Sequence, residues 1–149
     1  MMRRKRGSTH GQRGSTLVEF AIGATVFMTV MFAVVEFGRA LWVHNALSDA
    51  ARRGARYAVV HPSSDATAVK NVVVYGDPVG GTTPLVDNLT PDNVNVSYSS
   101  FGLSEGTATV SITSYSFQFV APIVSTSITM PDYSSTLTAE SAGLIPPNL

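Results

Sequence analysis

The chain has 149 residues, room for one ordinary domain plus a membrane segment, and no cysteine, which excludes a disulfide framework and a thiolate metal site. Its formal net charge is zero, but the balance is uneven: the first fourteen residues carry Arg3, Arg4, Lys5, Arg6 and Arg13 and no acid, while the rest sets five basic residues against ten acids. The basic patch is a short tail ahead of an apolar run and not a folded surface, so it reads as a positive-inside topology signal; no nucleic-acid partner is expected.

The leader, residues 1–14, ends in Arg13-Gly14. Ser15-Thr16-Leu17-Val18-Glu19-Phe20 follows, and no charge occurs from Phe20 to Val35. With Leu17 and Val18, and with Phe37, Leu41 and Trp42 beyond Glu36, this stretch approaches the roughly 20 residues that a spanning helix needs. The transmembrane half is placed at about 17–39, edged by Arg39, Trp42 and His44, the residue mixture of a membrane interface. A lone carboxylate in hydrocarbon costs roughly 2.5 kcal/mol or more, so Glu19 needs a purpose. We read Gly14 as a cleavage point and Glu19 as an assembly contact. An ordinary signal peptide fits less well: the apolar run is too long, and its small-x-small site, Ala21-Ile22-Gly23, comes too early. A plain signal anchor explains the topology but leaves Gly14 and Glu19 without a role.

The helical pattern continues past the membrane. Leu47, Ala50, Ala51, Gly54, Ala55, Ala58 and Val59 recur at three- and four-residue steps as a stripe of small side chains. The stripe suits packing on the chain's own domain or a seam between subunits. Asp49 lies within pairing reach of Arg52 and Arg53. Pro62 closes the segment, giving a long helix over 15–61.

Three blocks carry a family resemblance: Arg13 to Phe20, then Val35-Glu36-Phe37-Gly38-Arg39, then Ala50-Ala51-Arg52-Arg53-Gly54-Ala55-Arg56-Tyr57-Ala58. In this order and spacing the chain resembles the TadE-like pseudopilins of bacterial tight-adherence (Tad/Flp) pilus systems over roughly residues 13–59. The resemblance implies a structural and assembly subunit, a minor pseudopilin, and not an enzyme. A prepilin peptidase would cut after Gly14, leaving Ser15 as the first mature residue. Glu19 would be the fifth, followed by the apolar Phe20, and would meet the N-terminal amine of a neighbouring subunit. The pair would enter an apolar assembly more cheaply than either charge alone. Ala50, Gly54 and Ala58 would pack helices; Arg39 and Trp42 would sit at the membrane interface. The implied partners are the peptidase, other pilins or pseudopilins with their assembly machinery, and the lipid bilayer. The implied location is the bacterial inner membrane, single-pass, with the N-terminus cytoplasmic and the C-terminal domain outside. Pilus association, biogenesis and surface adhesion would follow processing. The alternative is an uncleaved, membrane-anchored protein whose exported domain is a binding module.

Residues 62–149 form the exported α+β domain. Asp65 to Val74 suits a short helix capped by Ser63 or Ser64, with Ala66, Val69, Val72 and Val73 as its apolar face; Val72–Val74 would serve a strand almost equally well. Gly76 to Pro84 and Asp87 to Asn93 are rich in turn residues. Val94–Tyr98 and Ala108–Thr113 alternate apolar and polar residues. The alternation resumes out of phase at Tyr115, Phe117 and Phe119, which suggests a bulge near Ser114. Gly102 to Gly106 suits a hairpin loop, Tyr133 to Ala142 forms a weaker third strand, Val120–Val124 with Pro122 reads as an apolar bridge, and Leu144–Leu149 as a loose tail. The expected fold is a long N-terminal helix packed against a small antiparallel three-stranded sheet with a short second helix. Its serine- and threonine-rich sheet face would be solvated or adhesive. His10, His44 and His61 lack metal-ligand spacing, no nucleophile constellation appears, and no cofactor is expected. Asp87, Asp92 and Asn93 could touch a cation but do not form an EF-hand pattern.

Overall fold

The structure, a computed structural model, describes residues 10–99, 106–120 and 127–138, with side chains from Gly14 onward. Residues 1–9, most of the 102–106 hairpin loop, the 121–124 part of the apolar bridge, the end of the third strand after Thr138 and the 144–149 tail lie outside the described residues. Helix α1 runs His10–Val59, and the chain divides into two compact units within it, Met1–Gly38 and Arg39–Leu149.

In the first unit α1 presents its apolar side chains outward. Leu17, Phe20, Ile22 and Val26 through Val35 are exposed, and Phe20 keeps 73% of its surface. The two threonines do not leave their hydroxyls bare. Thr25 Oγ1 donates to the Ala21 carbonyl at 2.8 Å and Thr29 Oγ1 to the Thr25 carbonyl at 2.9 Å. This internal bonding is what lets a hydroxyl sit on the surface of an apolar helix.

The second unit contains the rest of α1, a 3₁₀ turn at Ser63–Asp65, helix α2 (Ala66–Tyr75), a 3₁₀ turn at Pro91–Asn93 and five strands. These are β1 (Val94–Ser99), β2 (Thr107–Ile112), β3 (Ser116–Gln118), β4 (Ser127–Thr129) and β5 (Tyr133–Thr138). The main sheet has the order β1-β2-β5, antiparallel throughout, with Val94 opposite Ile112 and Ile112 opposite Tyr133. The expected long helix, short second helix and three-stranded antiparallel sheet are all present.

The small-residue stripe explains how the layers meet. Leu47, Ala50, Ala51, Ala55 and Ala58 are buried together with Val69 and Val73 of α2 and with Ala108, Val110 and Ile112 of β2. At Gly54 the approach is closest: an added Cβ would run into Val73 Cγ2 and come within 3.2 Å of Val110 Cγ1. A helix can lie this near its neighbours only where side chains are small.

The start of the second helix and the reading at Ser114 need correction. The second helix begins at Ala66 and not Asp65, and neither Ser63 nor Ser64 caps it. Both serines are taken into a 3₁₀ turn closed by Asp65 N–H to the Pro62 carbonyl at 3.0 Å, and Ser64 Oγ donates to Asp65 Oδ1. Val72–Val74 are helical and buried, and the helix stops at Gly76, whose left-handed φ of 78° lets its N–H reach the Val72 carbonyl. Finally, Ser114 is not a bulge in one long strand. Asn93 Nδ2 donates to the carbonyls of Thr113 and Ser114, Ser114 turns to φ 57°, and the chain leaves the main sheet. β3 then pairs with β4 as a separate two-stranded ribbon, Phe117 opposite Ile128.

Candidate functional site

The residues expected to carry assembly chemistry fall in both units. In the first, a methyl group added at Gly14 would meet nothing within 4 Å, so α1 leaves this position open to a partner. One residue on, Ser15 Oγ donates to Glu19 Oε1 at 3.2 Å across one helical turn. The carboxylate thus has a hydroxyl partner at the start of the apolar run. Phe20 stands beside it, exposed. Glu36, the next acid along α1, is buried. The segment from Gly14 contains an 18-residue window of mean hydropathy 2.1, none of it buried, which is long and apolar enough to cross a membrane.

In the second unit, Arg39 donates through Nη2 to the Gln118 carbonyl and lies 4.4 Å from the centroid of the Phe117 ring. Phe117 in turn meets Phe119 edge-on at 5.3 Å. The residue expected at the membrane edge is thus also a tie to the β3 ribbon, combining a charged donor with a cation–π contact. Trp42 is 59% exposed and free to occupy an interface. Ala50, Gly54 and Ala58 are buried against their own domain, which is packing within the subunit.

Aromatic hydroxyls tie the same end of the sheet together. His44 Nδ1 and Tyr133 Oη are 2.9 Å apart, and Tyr115 Oη donates to the Asp87 carbonyl at 2.7 Å. Burial pushes the Tyr98, Tyr115 and Tyr133 phenols above their usual range; at Tyr115 the nearby Asp87 adds to this and Arg39 opposes it. Folding therefore favours the protonated phenols. Their contribution is complete below about pH 10 and is lost as pH rises through the higher folded values. Tyrosinate absorbance should appear together with loss of near-ultraviolet circular dichroism on alkaline titration. Tyrosinate formed at ordinary pH values in a fully folded domain would contradict this.

Among the described residues no group of three His, Asp or Glu side chains is placed to hold a metal ion. The backbone carbonyl of Asp87, whose side chain is a candidate cation contact by sequence, accepts from Tyr115. Arg39's ties to Phe117 and Gln118 had no local signal, since the partner carbonyl is 79 residues away.

No curated protein and no solved structure matches the chain. Residues 14–56 match the family model described as TadE-like protein, in agreement with the three sequence blocks.

Proposed function

We propose that the protein is a pilus-related structural subunit, a minor pseudopilin of a Tad/Flp-type system, launched from the inner membrane. The observation that carries this reading is the family match, which opens at Gly14 and takes in an apolar helix with a single acid, Glu19, ahead of Glu36. On this reading the basic leader stays cytoplasmic and residues 62–149 lie outside. A prepilin peptidase cuts after Gly14, and Glu19 meets the amine of a neighbouring subunit. The spanning segment ends near Arg39 and Trp42. The role is assembly, and the TadE-like family is not a known enzyme family.

Helix α1 passes through the proposed cut, so the peptidase must open a turn to reach it. Glycine makes that easier, since it weakens a helix interior by roughly 0.5–1 kcal/mol relative to alanine. Mass and N-terminal sequence of the protein from its native host test the proposal, with and without the peptidase. A chain starting at Ser15 only when the peptidase is present is expected. Gly14→Leu should accumulate as precursor, and Glu19→Ala should be cut yet enter pili poorly. An uncut chain in both strains would overturn the processing route and favour an anchored binding module.

A further inference from the structure

The charged residues of the second unit are sorted by position. Every arginine beyond the leader lies on α1, whereas its aspartates, apart from Asp49, lie downstream. Arg52 is held by Asp49 at 2.9 Å. Arg53 and Arg56 are exposed, on the side of α1 away from the buried stripe, and neither makes an ion pair among the described residues.

Three of the downstream aspartates lie at one end of the sheet, where Arg39 is also close to Tyr115, while Asp65 lies near Tyr98 at the other end. Val94, Ile112 and Tyr133 form one row across β1, β2 and β5, so the chain enters β1 and β5 at the same end of the sheet, on either side of β2. Asp92 precedes β1 and Asp132 precedes β5; both are exposed and without an ion pair among the described residues. Asp87 joins this end through its carbonyl bond to Tyr115.

This acidic rim cannot reach the two arginines of its own subunit. The Tyr133–His44 contact fixes the rim beside His44 on α1. From there, Arg53 and Arg56 lie roughly 14 to 18 Å farther along the helix axis, at 1.5 Å per residue. Surface pairs act over a few ångströms, and the Debye length at physiological salt is about 8 Å. A second copy lying alongside the outer face of α1 and offset along its axis by about that distance would set its acidic rim against the arginine face.

We infer that α1's Arg53/Arg56 face is a docking surface for the Asp92/Asp132 rim of a second copy of this chain. The contact is head-to-tail, because the two patches differ, and such contacts extend into open assemblies when rotation does not close a ring. It does not depend on cleavage at Gly14, since both patches are present in the uncut chain.

Complementary charge reversal tests the inference on the full chain in a non-ionic detergent. Sedimentation at about 50 mM salt should show oligomers whose association weakens about tenfold or more at about 500 mM. R53D/R56D alone should be monomeric, as should D92R/D132R alone. An equimolar mixture should associate again, because each variant now carries the partner of the other. Recovery on mixing also shows that both variants are folded. R53K/R56K should associate like the native chain. A monomeric native chain at low salt, native-like association of either reversal variant, or a mixture that stays monomeric would each overturn the proposal. None of these outcomes bears on whether the peptidase cuts after Gly14.

Discussion

Phe117→Ala should destabilise the second unit by about 3–5 kcal/mol, the range for removing a buried aromatic ring. Phe117 is among the largest fully buried side chains, and its loss acts in three ways. It opens a cavity, removes the edge-on contact with Phe119, and takes away the ring face under Arg39. Arg39 would keep its bond to the Gln118 carbonyl, so the damage should exceed that of Arg39→Met, which spares the ring. Denaturant unfolding of the full chain in detergent, followed by near-ultraviolet circular dichroism, would measure both. Equal losses for the two variants would mean that the guanidinium, and not the ring, anchors the β3 ribbon.

Gly54→Ala should also destabilise, by about 1–3 kcal/mol, although alanine ordinarily strengthens a helix by about 1 kcal/mol over glycine. The added methyl meets Val73 Cγ2, and Val73 is fully buried in α2, where a β-branched side chain has one strongly preferred rotamer. The neighbour cannot swing aside. Trimming it should relieve the clash, so Gly54→Ala combined with Val73→Ala is expected to be more stable than the sum of the single changes predicts. Strict additivity would show that the helices separate freely, and that close approach at Gly54 is not what fixes their spacing.

These two residues also show what could be read from the sequence. Gly54 belongs to a three- and four-residue period, so its buried position on α1 was legible, and so was the membrane-length apolar run before it. Its partners were not, because nothing local in α1 names Val73 or Val110. β1 and β2 were legible for the same kind of reason: residues alternate in and out along both strands. β5 was weak because Ser135, facing inward opposite Val110, breaks the apolar run between Tyr133 and Leu137. β4 had no readable pattern, being three residues long and exposed throughout. The departure at Ser114 depends on the amide of Asn93, about twenty residues earlier, a bond between side chain and distant carbonyl that periodicity does not encode. At the candidate site, Gly14 and Glu19 stand out in the sequence by charge and hydropathy, Phe20 by the family resemblance, and the roles of all three are proposals. The Ser15 hydroxyl on Glu19 required the helix to be in place through residue 15.

That continuity of α1 ahead of Ser15 has an electrostatic consequence. In the uncut chain, Glu19 lies in the body of a helix that starts at His10, with no special relation to either pole. A cut after Gly14 removes the carbonyls of residues 11–14, which receive the N–H groups of residues 15–18 in the α-helical pattern. The amide N–H groups of residues 16–18 then face outward as the new positive pole of the helix macrodipole, and Glu19 falls in its first turn or just beyond, where a carboxylate is favoured by about 0.3–1 kcal/mol. The same pole is unfavourable for the new ammonium at Ser15, which leaves that charge seeking an external anion. One hydrolysed peptide bond would thus settle the carboxylate at its own helix end and direct the amine to the carboxylate of a neighbour.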